Sequence, residues 1–435
     1  MQYGLNYSKF LMSGICMQLF TTIFLSFLAA SVVVRLWLSQ RQVNHIRAHY
    51  AQVPAAFADK ITLEDHHRAA DYSCAKLRVG RITLAWETLW LLLWTIGGGI
   101  NLIDQWWSGF EYGALTTGIA VIISLVLISS ILNLPFSLYH TFVIEERFGF
   151  NQTTWKTWLL DLVKSTLLVT ALGIPLLAVI LWLMIQAGDN WWLYAWLVWM
   201  SFSLVMIWAY PAFIAPLFNK FSPLQDAELR TRIENLLQRC GFQSQGVFVV
   251  DGSRRSSHGN AYFTGFGRNK RIVFFDTLLE SLSGDEVEAV LAHELGHFKR
   301  NHIKKSLLLS SAISLAGFAL LAWLMSSAWF YSSLGVATAS THTALLLFMM
   351  IMPVFTYFVS PLFSALSRKH EFEADEFAHS NSNYKALISA LVSLYRDNAS
   401  TLTPDPIHSM FYDSHPPAMI RIDHLETIAA NGSSG

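Results

Sequence analysis

Two histidines that stand four positions apart, His293 and His297, have the clearest chemical potential in the chain. On a helix this spacing puts both imidazoles on one face, where they can bind a single metal ion, usually zinc. Glu294 is adjacent in sequence but turned aside, so we expect it to act as a general base rather than a ligand. The pattern H-E-x-x-H therefore predicts a hydrolytic zinc site. The alternative, two ordinary surface histidines on a helix, stays open at this point.

A hydrolytic zinc ion needs three protein ligands and one open position. The segment 367–375 has a helical pattern in which Glu371 and Asp375 share one face. We expect Glu371 to be the third ligand. Asp375, one turn further on, is placed to accept the free N–H of a coordinated imidazole, which fixes the tautomer of that histidine. Spacing alone also permits these acids to form an ordinary solvated helix face.

The helices that carry these residues belong to a chain with the composition of a membrane protein. Apolar residues make up 53% of it and charged residues 14%, against about a quarter charged in soluble domains. Seven stretches reach the roughly 20 apolar residues that a membrane-spanning helix needs. They are 10–36, 84–104, 113–135, 157–186, 191–216, 305–330 and 342–364. The predicted fold class is a mostly α, polytopic membrane protein, with the first stretch retained as a span.

The basic residues predict how the spans are oriented. Lys and Arg are concentrated in the segments 37–83, 136–156, 217–304 and 365–428, which the positive-inside rule places in the cytoplasm. Both parts of the candidate zinc site are then cytoplasmic. The predicted organisation is five spans in 1–216, a catalytic segment in 217–304, two spans in 305–364, a C-terminal segment in 365–428 and a tail in 429–435.

The catalytic segment 217–304 is predicted to contain a small α+β unit. Residues 247–250 and 271–275 have strand-like composition and flank a Gly/Ser-rich stretch. Ser283, with Glu286 three residues later, matches a capping box that opens a helix over 284–302. The H-E-x-x-H pattern lies on that helix.

Charge and cysteine content exclude several other classes of function. The formal net charge is zero, which gives no indication of a nucleic-acid partner. Cys16, Cys74 and Cys240 include no C-x-x-C pair, so neither a disulfide framework nor a cysteine-based zinc site is predicted. The expected partners are a peptide or protein substrate and the lipid bilayer.

Several sequence blocks, in order along the chain, resemble the type I CAAX prenyl protease family. The blocks are 134–139, 142–146, 148–151, 210–220, 260–263, 271–276, the H-E-x-x-H at 293–297, Arg368-x-x-Glu371 and 414–417. The resemblance implies an integral-membrane zinc metalloprotease with seven helices around a chamber. It also implies zinc ligation by His293, His297 and Glu371, with Glu294 as the base and Asp375 beside a coordinating histidine.

The same resemblance implies roles for four further residues. Asn260 and Ala261 would lie on an edge strand to which an extended substrate pairs. His415 would stabilise the oxyanion of the tetrahedral intermediate, and Arg421 would lie near the zinc. Without the family, His415 would be interpreted as a loop residue and Asn260 as a turn residue.

The resemblance also gives expectations about the substrate and about the membrane in which the protein lies. Eukaryotic members of this family process prenylated C-terminal CAAX peptides, whereas bacterial relatives are better regarded as quality-control proteases for membrane proteins. Short non-cytoplasmic loops and the lack of a C-terminal retrieval signal favour a bacterial inner-membrane protein. Two other functions stay open as alternatives. One is a transporter whose pathway is lined by Asp161 and Lys164, and the other is a catalytically silent membrane scaffold.

Overall fold

The computed structural model describes residues 2–244, 246–264 and 271–432, with the side chains of 16–244, 246–263 and 271–431. Most of these residues are helical. The α-helices are α1 Gln2–Ala48, α2 Leu63–Trp94, α3 Gly99–Ser108, α4 Ala114–Tyr139, α5 Trp155–Gln186, α6 Trp191–Ala209, α7 Ala215–Phe218, α8 Ala227–Arg239, α9 Asp276–Ser281, α10 Gly284–Lys299, α11 His302–Met325, α12 Ala328–Ser332, α13 Thr341–Thr356, α14 Ser360–Asn381, α15 Tyr384–Asp397, α16 Pro406–Tyr412 and α17 Ala418–Gly432.

Short helical turns of other types join or extend several of these helices. Two π-helical segments, His140–Glu145 and Tyr210–Ile214, follow α4 and α6 directly. The 3-10 turns are Ala55–Phe57, Gly188–Asn190, Gly252–Arg254 and Tyr357–Val359. Helix α17 continues through Gly432, so most of the segment predicted as a tail, 429–435, is helical, and residues 433–435 lie outside the described part.

Six helical stretches among the described residues are long and apolar enough to cross a membrane. They are Cys16–Ala48, Ala114–Glu145, Trp155–Gln186, Gly188–Phe218, His302–Met325 and Thr341–Asn381. They coincide with six of the seven predicted spans, which confirms a mostly α, polytopic membrane protein.

The remaining predicted span, 84–104, is not one continuous helix. Helix α2 ends at Trp94 and α3 begins at Gly99. Between them Gly98 has a left-handed φ of 78°, which glycine adopts without the steric cost that other residues meet. The run Gly97-Gly98-Gly99 therefore breaks the helix, and the expectation of a single apolar helix here was wrong.

The two largest hydrophobic cores among the described residues are separate from each other. One lies among the apolar helices and includes Phe24, Ile100, Leu181 and Leu347. The other joins the sheet to α8, α10 and α15, with Ile233 and Leu295 among its buried members. The helix that carries the H-E-x-x-H pattern thus packs in the catalytic core rather than among the membrane helices.

The catalytic segment contains a small sheet, as the sequence predicted, and four strands of it lie among the described residues. Its strands are β1 Phe221–Pro223, β2 Val247–Val250, β3 Ala261–Thr264 and β4 Arg271–Phe275, in the order β1-β2-β4-β3. Strands β2 and β4 are parallel, whereas β1 pairs antiparallel with β2 and β3 with β4. Among the described strands β3 is an edge strand, and its outer side pairs with none of them, so another extended chain could pair there.

The two charged residues near the start of α5 connect the membrane helices to the catalytic segment. The Asp161 carboxylate accepts two hydrogen bonds from the Arg255 guanidinium, at 2.7 and 3.0 Å. Lys164 donates to the main-chain carbonyl of Leu217 at 2.8 Å. These contacts give both charges a partner in the polypeptide, so their presence in an apolar helix needs no transport pathway.

Candidate metal centre

Helix α10 begins as predicted and ends earlier. Ser283 and Glu286 form the reciprocal capping box that the sequence indicated. The helix ends at Lys299 rather than 302, because Asn301 has a left-handed φ of 57° and His302 begins α11. This sharp turn brings His302 back towards the face that carries the H-E-x-x-H histidines.

Helix α10 and helix α14 approach each other closely at Gly296. A Cβ atom at this position would lie 2.9 Å from the Ala374 Cα and 3.0 Å from its carbonyl oxygen, which is closer than real Cβ atoms come. Only glycine fits without moving the two helices apart. The glycine inside H-E-L-G-H therefore allows α14 to present Glu371 to His293 and His297.

Three side chains from these helices form a compact triangle, with one ligand atom of each within 4.8 Å of the others. The Nε2 atoms of His293 and His297 are 3.3 Å apart. Glu371 Oε2 lies 3.3 Å from His293 Nε2, and Glu371 Oε1 lies 3.4 Å from His297 Nε2. Ligands at about 2.0–2.1 Å from a tetrahedral zinc ion lie about 3.3 Å from one another. Among the described residues, this is the group of His, Cys, Asp and Glu side chains that can hold a metal ion.

Glu371 also has a polar atom that suits a metal. Its Oε2 is buried and makes no aligned hydrogen bond within the described part of the chain. Its neighbours are imidazole nitrogens, His293 Nε2 at 3.3 Å and His415 Nδ1 at 2.9 Å, and a buried carboxylate oxygen that no donor meets in line is costly. A cation at the centre of the triangle would satisfy this oxygen, so the donor set fits the predicted metal.

His293 is held by a buried carboxylate and guanidinium, those of Asp375 and Arg421. Its Nδ1 lies 2.8 Å from the Asp375 carboxylate, and the Nε of Arg421 donates to the other oxygen of Asp375 at 2.8 Å. Donation of Nδ1–H to Asp375 leaves the Nε2 lone pair facing the triangle. Burial lowers the pKa of His293, but Asp375 and Glu371 outweigh it and raise that pKa to about 9. The same carboxylates favour a metal cation at this position.

His297 is held differently, by two residues that were not identified from the sequence. Its Nδ1 is 3.0 Å from His302 Nδ1, and His302 Nε2 is 2.9 Å from the Glu373 carboxylate. If His297 uses Nε2 for a metal, its Nδ1–H must donate to His302. His302 must then carry its own hydrogen on Nε2 and donate it to Glu373. A helix that continued to residue 302 would have turned the His302 side chain away from His297. The contacts from His297 through His302 to Glu373 therefore depend on the break at Asn301, which the sequence did not predict.

Glu294 is partly buried, and its carboxylate has no hydrogen-bond or ion-pair partner among the residues that the structure describes. Its role as a general base stays a prediction. His293, Glu294 and His297 lie on the same helix, α10, as the sequence predicted, whereas Glu371 comes from α14.

His415 reaches the site from the loop after α16. Its Nδ1 lies 2.9 Å from the Glu371 carboxylate, and its side chain is 66% exposed. Arg368 fixes this loop by donating to the main-chain carbonyl of Asp413 at 2.8 Å. The structure therefore brings His415 to the predicted ligand, although sequence spacing alone favoured an ordinary loop residue.

Asn260 and Ala261 lie at the start of the edge strand. Ala261 pairs with Phe274 of β4, and the Asn260 carbonyl accepts a hydrogen bond from the Phe275 N–H. The Asn260 side chain accepts from the Ala261 N–H at 2.8 Å. Among the described contacts, none joins either residue to the metal ligands, so their role in binding substrate stays a prediction.

Comparison with known proteins identifies the family. Residues 42–220 match the family described as CAAX prenyl protease N-terminal, five membrane helices, and residues 223–429 match peptidase family M48. The chain belongs to peptidase family M48. It is thus a membrane metalloprotease, and the transporter and silent-scaffold alternatives are not favoured.

Individual M48 relatives agree over most of their length. A CAAX prenyl protease 1 homolog of Arabidopsis thaliana is 41% identical over 68% of this chain and 70% of its own. CAAX prenyl protease 1 of Saccharomyces cerevisiae is 33% identical over 90% and 92%. The crystal structure of S. mikatae Ste24p superposes with a TM-score of 0.85 at 32% identity, over 93% of this chain and 98% of that one. The resemblance inferred from the sequence blocks is confirmed.

Proposed function

We propose that this M48 protein is a zinc-dependent endopeptidase in which His293, His297 and Glu371 hold the ion. The observation that supports this most directly is that the two Nε2 atoms are 3.3 Å apart and each lies 3.3–3.4 Å from one oxygen of the Glu371 carboxylate, which suits three ligands of tetrahedral zinc with the fourth position open. When bound, zinc supplies a water of lowered pKa and polarises the substrate carbonyl.

The protein's own groups carry the proton transfers in this proposal. The Glu294 carboxylate accepts a proton from the attacking water and returns it to the leaving amine. His415 donates a hydrogen bond to the carbonyl oxygen as negative charge develops there. Asp375, held by Arg421, keeps His293 in the tautomer that leaves Nε2 free. An extended substrate pairs with the open edge of β3 at Asn260 and Ala261.

The substrate class follows from the relatives. They are named CAAX prenyl proteases, and a C-terminal C-a-a-X sequence is the signal for prenylation of its cysteine. We propose C-terminal CAAX-type peptides as substrates, with misfolded membrane proteins as the alternative. We also propose that the catalytic segments face the cytoplasm, because they belong to the segments in which Lys and Arg are concentrated. A bacterial inner membrane stays a prediction.

One experiment tests the catalytic assignment. Purified protein is offered a farnesylated CAAX peptide and an unprenylated unfolded chain, each with and without chelator. We expect chelator to abolish cleavage, and readdition of zinc to restore it. Preference for the farnesylated peptide supports the CAAX assignment, whereas preference for the unfolded chain supports quality control.

A substitution of the base separates chemistry from metal binding. Glu294→Gln should retain about one zinc ion per chain but lose on the order of 10²–10⁴ in kcat. Zinc content is measured by elemental analysis on the same preparation. A Gln variant that retains zinc and cleaves at the parental rate would refute the role of Glu294.

A further inference from the structure

A cavity with a cationic lining adjoins the candidate metal centre. Its volume is about 900 Å³, within the range of sites that enclose small ligands. His415 contributes to its lining, together with Arg35 from α1 and Lys76 and Arg81 from α2. Since His415 also contacts Glu371, a peptide at the metal centre has this cavity directly beside it.

The three cations have no carboxylate partner within ion-pair distance among the described residues. Arg35 lies 4.4 Å from the centre of the Tyr357 ring, and its Nε is buried without a hydrogen bond. Lys76 lies 3.9 Å from the Tyr72 ring. Arg81 donates only to a neutral group, the Gln40 side-chain carbonyl, at 2.8 Å.

Arg35 is notable for its position. It belongs to Cys16–Ala48, one of the six stretches apolar enough to cross a membrane. Ionisable side chains in such helices are costly and commonly mark the path of a substrate or ion. A guanidinium that faces a cavity, without an acid to neutralise it, is suited to an anion that arrives from outside the chain.

Other titratable groups line the same cavity. Two are acids, Glu87 and Asp413, and two are further imidazoles, His140 and His408. Neither acid is within ion-pair distance of Arg35, Lys76 or Arg81 in the described structure. Arg35 and Lys76 therefore keep their hydrogen-bonding capacity for a ligand, whereas Arg81 uses one donor on Gln40.

We infer that Arg35 and Lys76 bind the free C-terminal carboxylate of the peptide substrate, with Arg81 adding to the positive potential. This deepens the proposed function and rests on it. A cavity beside the scissile bond suits a short chain end, and a chain end has one fixed negative charge. A carboxylate binds guanidinium and ammonium groups through charge-assisted hydrogen bonds. A lipid phosphate offers similar oxyanion chemistry, so the test must distinguish the two sources.

The test compares two peptides in detergent that differ only at the C-terminus. One farnesylated CAAX peptide ends in a carboxylate and the other in a carboxamide. For the parental protein we expect the amide to lower kcat/KM by about 10–100-fold, mainly through KM, because a charge-assisted hydrogen bond is lost. In Arg35→Gln and in Lys76→Gln, the acid-to-amide ratio should fall towards one.

A matched control lies on the same helix as Lys76. Arg78 is exposed and does not line the cavity, so Arg78→Gln should keep the parental ratio. Because Arg35 packs against Tyr357, Arg35→Lys serves as a charge-conserving variant and should recover part of the preference for the acid. Equal ratios in the parental protein, Arg35→Gln and Arg78→Gln would overturn the inference.

The lipid source is examined in vesicles of phosphatidylcholine with and without phosphatidylglycerol. If Arg35→Gln loses only a stimulation by phosphatidylglycerol and keeps the parental acid-to-amide ratio, the anion is lipid and the inference is wrong. Cleavage of neither peptide by the zinc-loaded parental protein would overturn the proposed function, and this inference with it. Cleavage of both at equal rates would overturn the inference alone.

Discussion

The two histidines of the H-E-x-x-H pattern are oriented by different chemistry. His293 donates to a carboxylate that a guanidinium holds in place, whereas His297 donates to a second imidazole that in turn donates to Glu373. His302 is only 4% exposed, so its ring has little freedom to turn. The orientation of His293 therefore depends on Asp375 of α14, and the orientation of His297 depends on His302 of α11.

Replacement of His302 by Phe should weaken metal binding without removing a ligand. The ring volume is kept, but the acceptor for His297 Nδ1–H is lost. We expect zinc affinity to fall about 10–100-fold, as for other groups that support a metal ligand. Competition with a chromogenic chelator measures this directly, without reference to catalysis.

The matched control is His370→Phe. The His370 ring stacks on His302 at 4.0 Å but makes no hydrogen bond to a ligand histidine in the described structure. It should therefore leave zinc affinity near the parental value. Equal losses in His302→Phe and His370→Phe would indicate that ring packing, rather than the hydrogen bond from His297, supports the metal.

Among the secondary-structure elements, sequence periodicity predicted most of what positions the site. Glu371 and Asp375 were paired correctly because both lie on one helix, where spacing of four fixes a shared face. His302 was missed because its position depends on where α10 ends, and a single left-handed residue at Asn301 decides that. The break after Trp94 was missed for the same reason. Local turns override the apolar pattern on which span prediction depends.

The close packing of α10 on α14 at Gly296 predicts the effect of adding a side chain there. Gly296→Ala places a Cβ against the backbone of α14, so the helices must separate or strain. We expect a loss of about 1–3 kcal/mol in the free energy of unfolding and weaker zinc binding, because Glu371 moves with α14. Thermal unfolding and zinc titration on the same variant measure the two effects.

Gly284 is the control for this substitution. A Cβ at Gly284 would meet only the end of the flexible Arg232 side chain, which can move. Alanine also favours the helical conformation over glycine. Gly284→Ala should therefore be neutral or stabilising. If Gly296→Ala behaves in the same way, close packing of α10 on α14 is not what holds the ligand triangle together.

At the scale of the whole molecule, the catalytic segment and the membrane helices have separate cores and are joined partly by polar contacts. The Asp161–Arg255 pair is one such contact, and Arg255 also donates to the Asn219 side chain at 2.8 Å. No sequence pattern predicted this pairing, because the two residues are 94 positions apart. From the sequence alone, Asp161 and Lys164 are two charged residues in an apolar helix, and their partners could not be identified.

Removing the guanidinium should weaken the connection between the two parts while leaving the metal site intact. Arg255→Met leaves Asp161 partly buried and unpaired, and a hydrogen bond to a charged group contributes roughly 1.5–3 kcal/mol. We place the loss below this range, at about 1 kcal/mol, because both side chains are partly exposed and solvent screens the pair. We expect a lower thermal midpoint in detergent and reduced peptide cleavage, with unchanged zinc content.

The control is Arg254→Met, which removes a neighbouring exposed charge and should change neither the thermal midpoint nor the rate of cleavage. Adding Asp161→Asn to Arg255→Met should recover part of the loss, because it removes the unpaired charge. If the two substitutions are instead additive, Asp161 and Arg255 do not stabilise each other, and the catalytic segment is held to the membrane helices by other contacts.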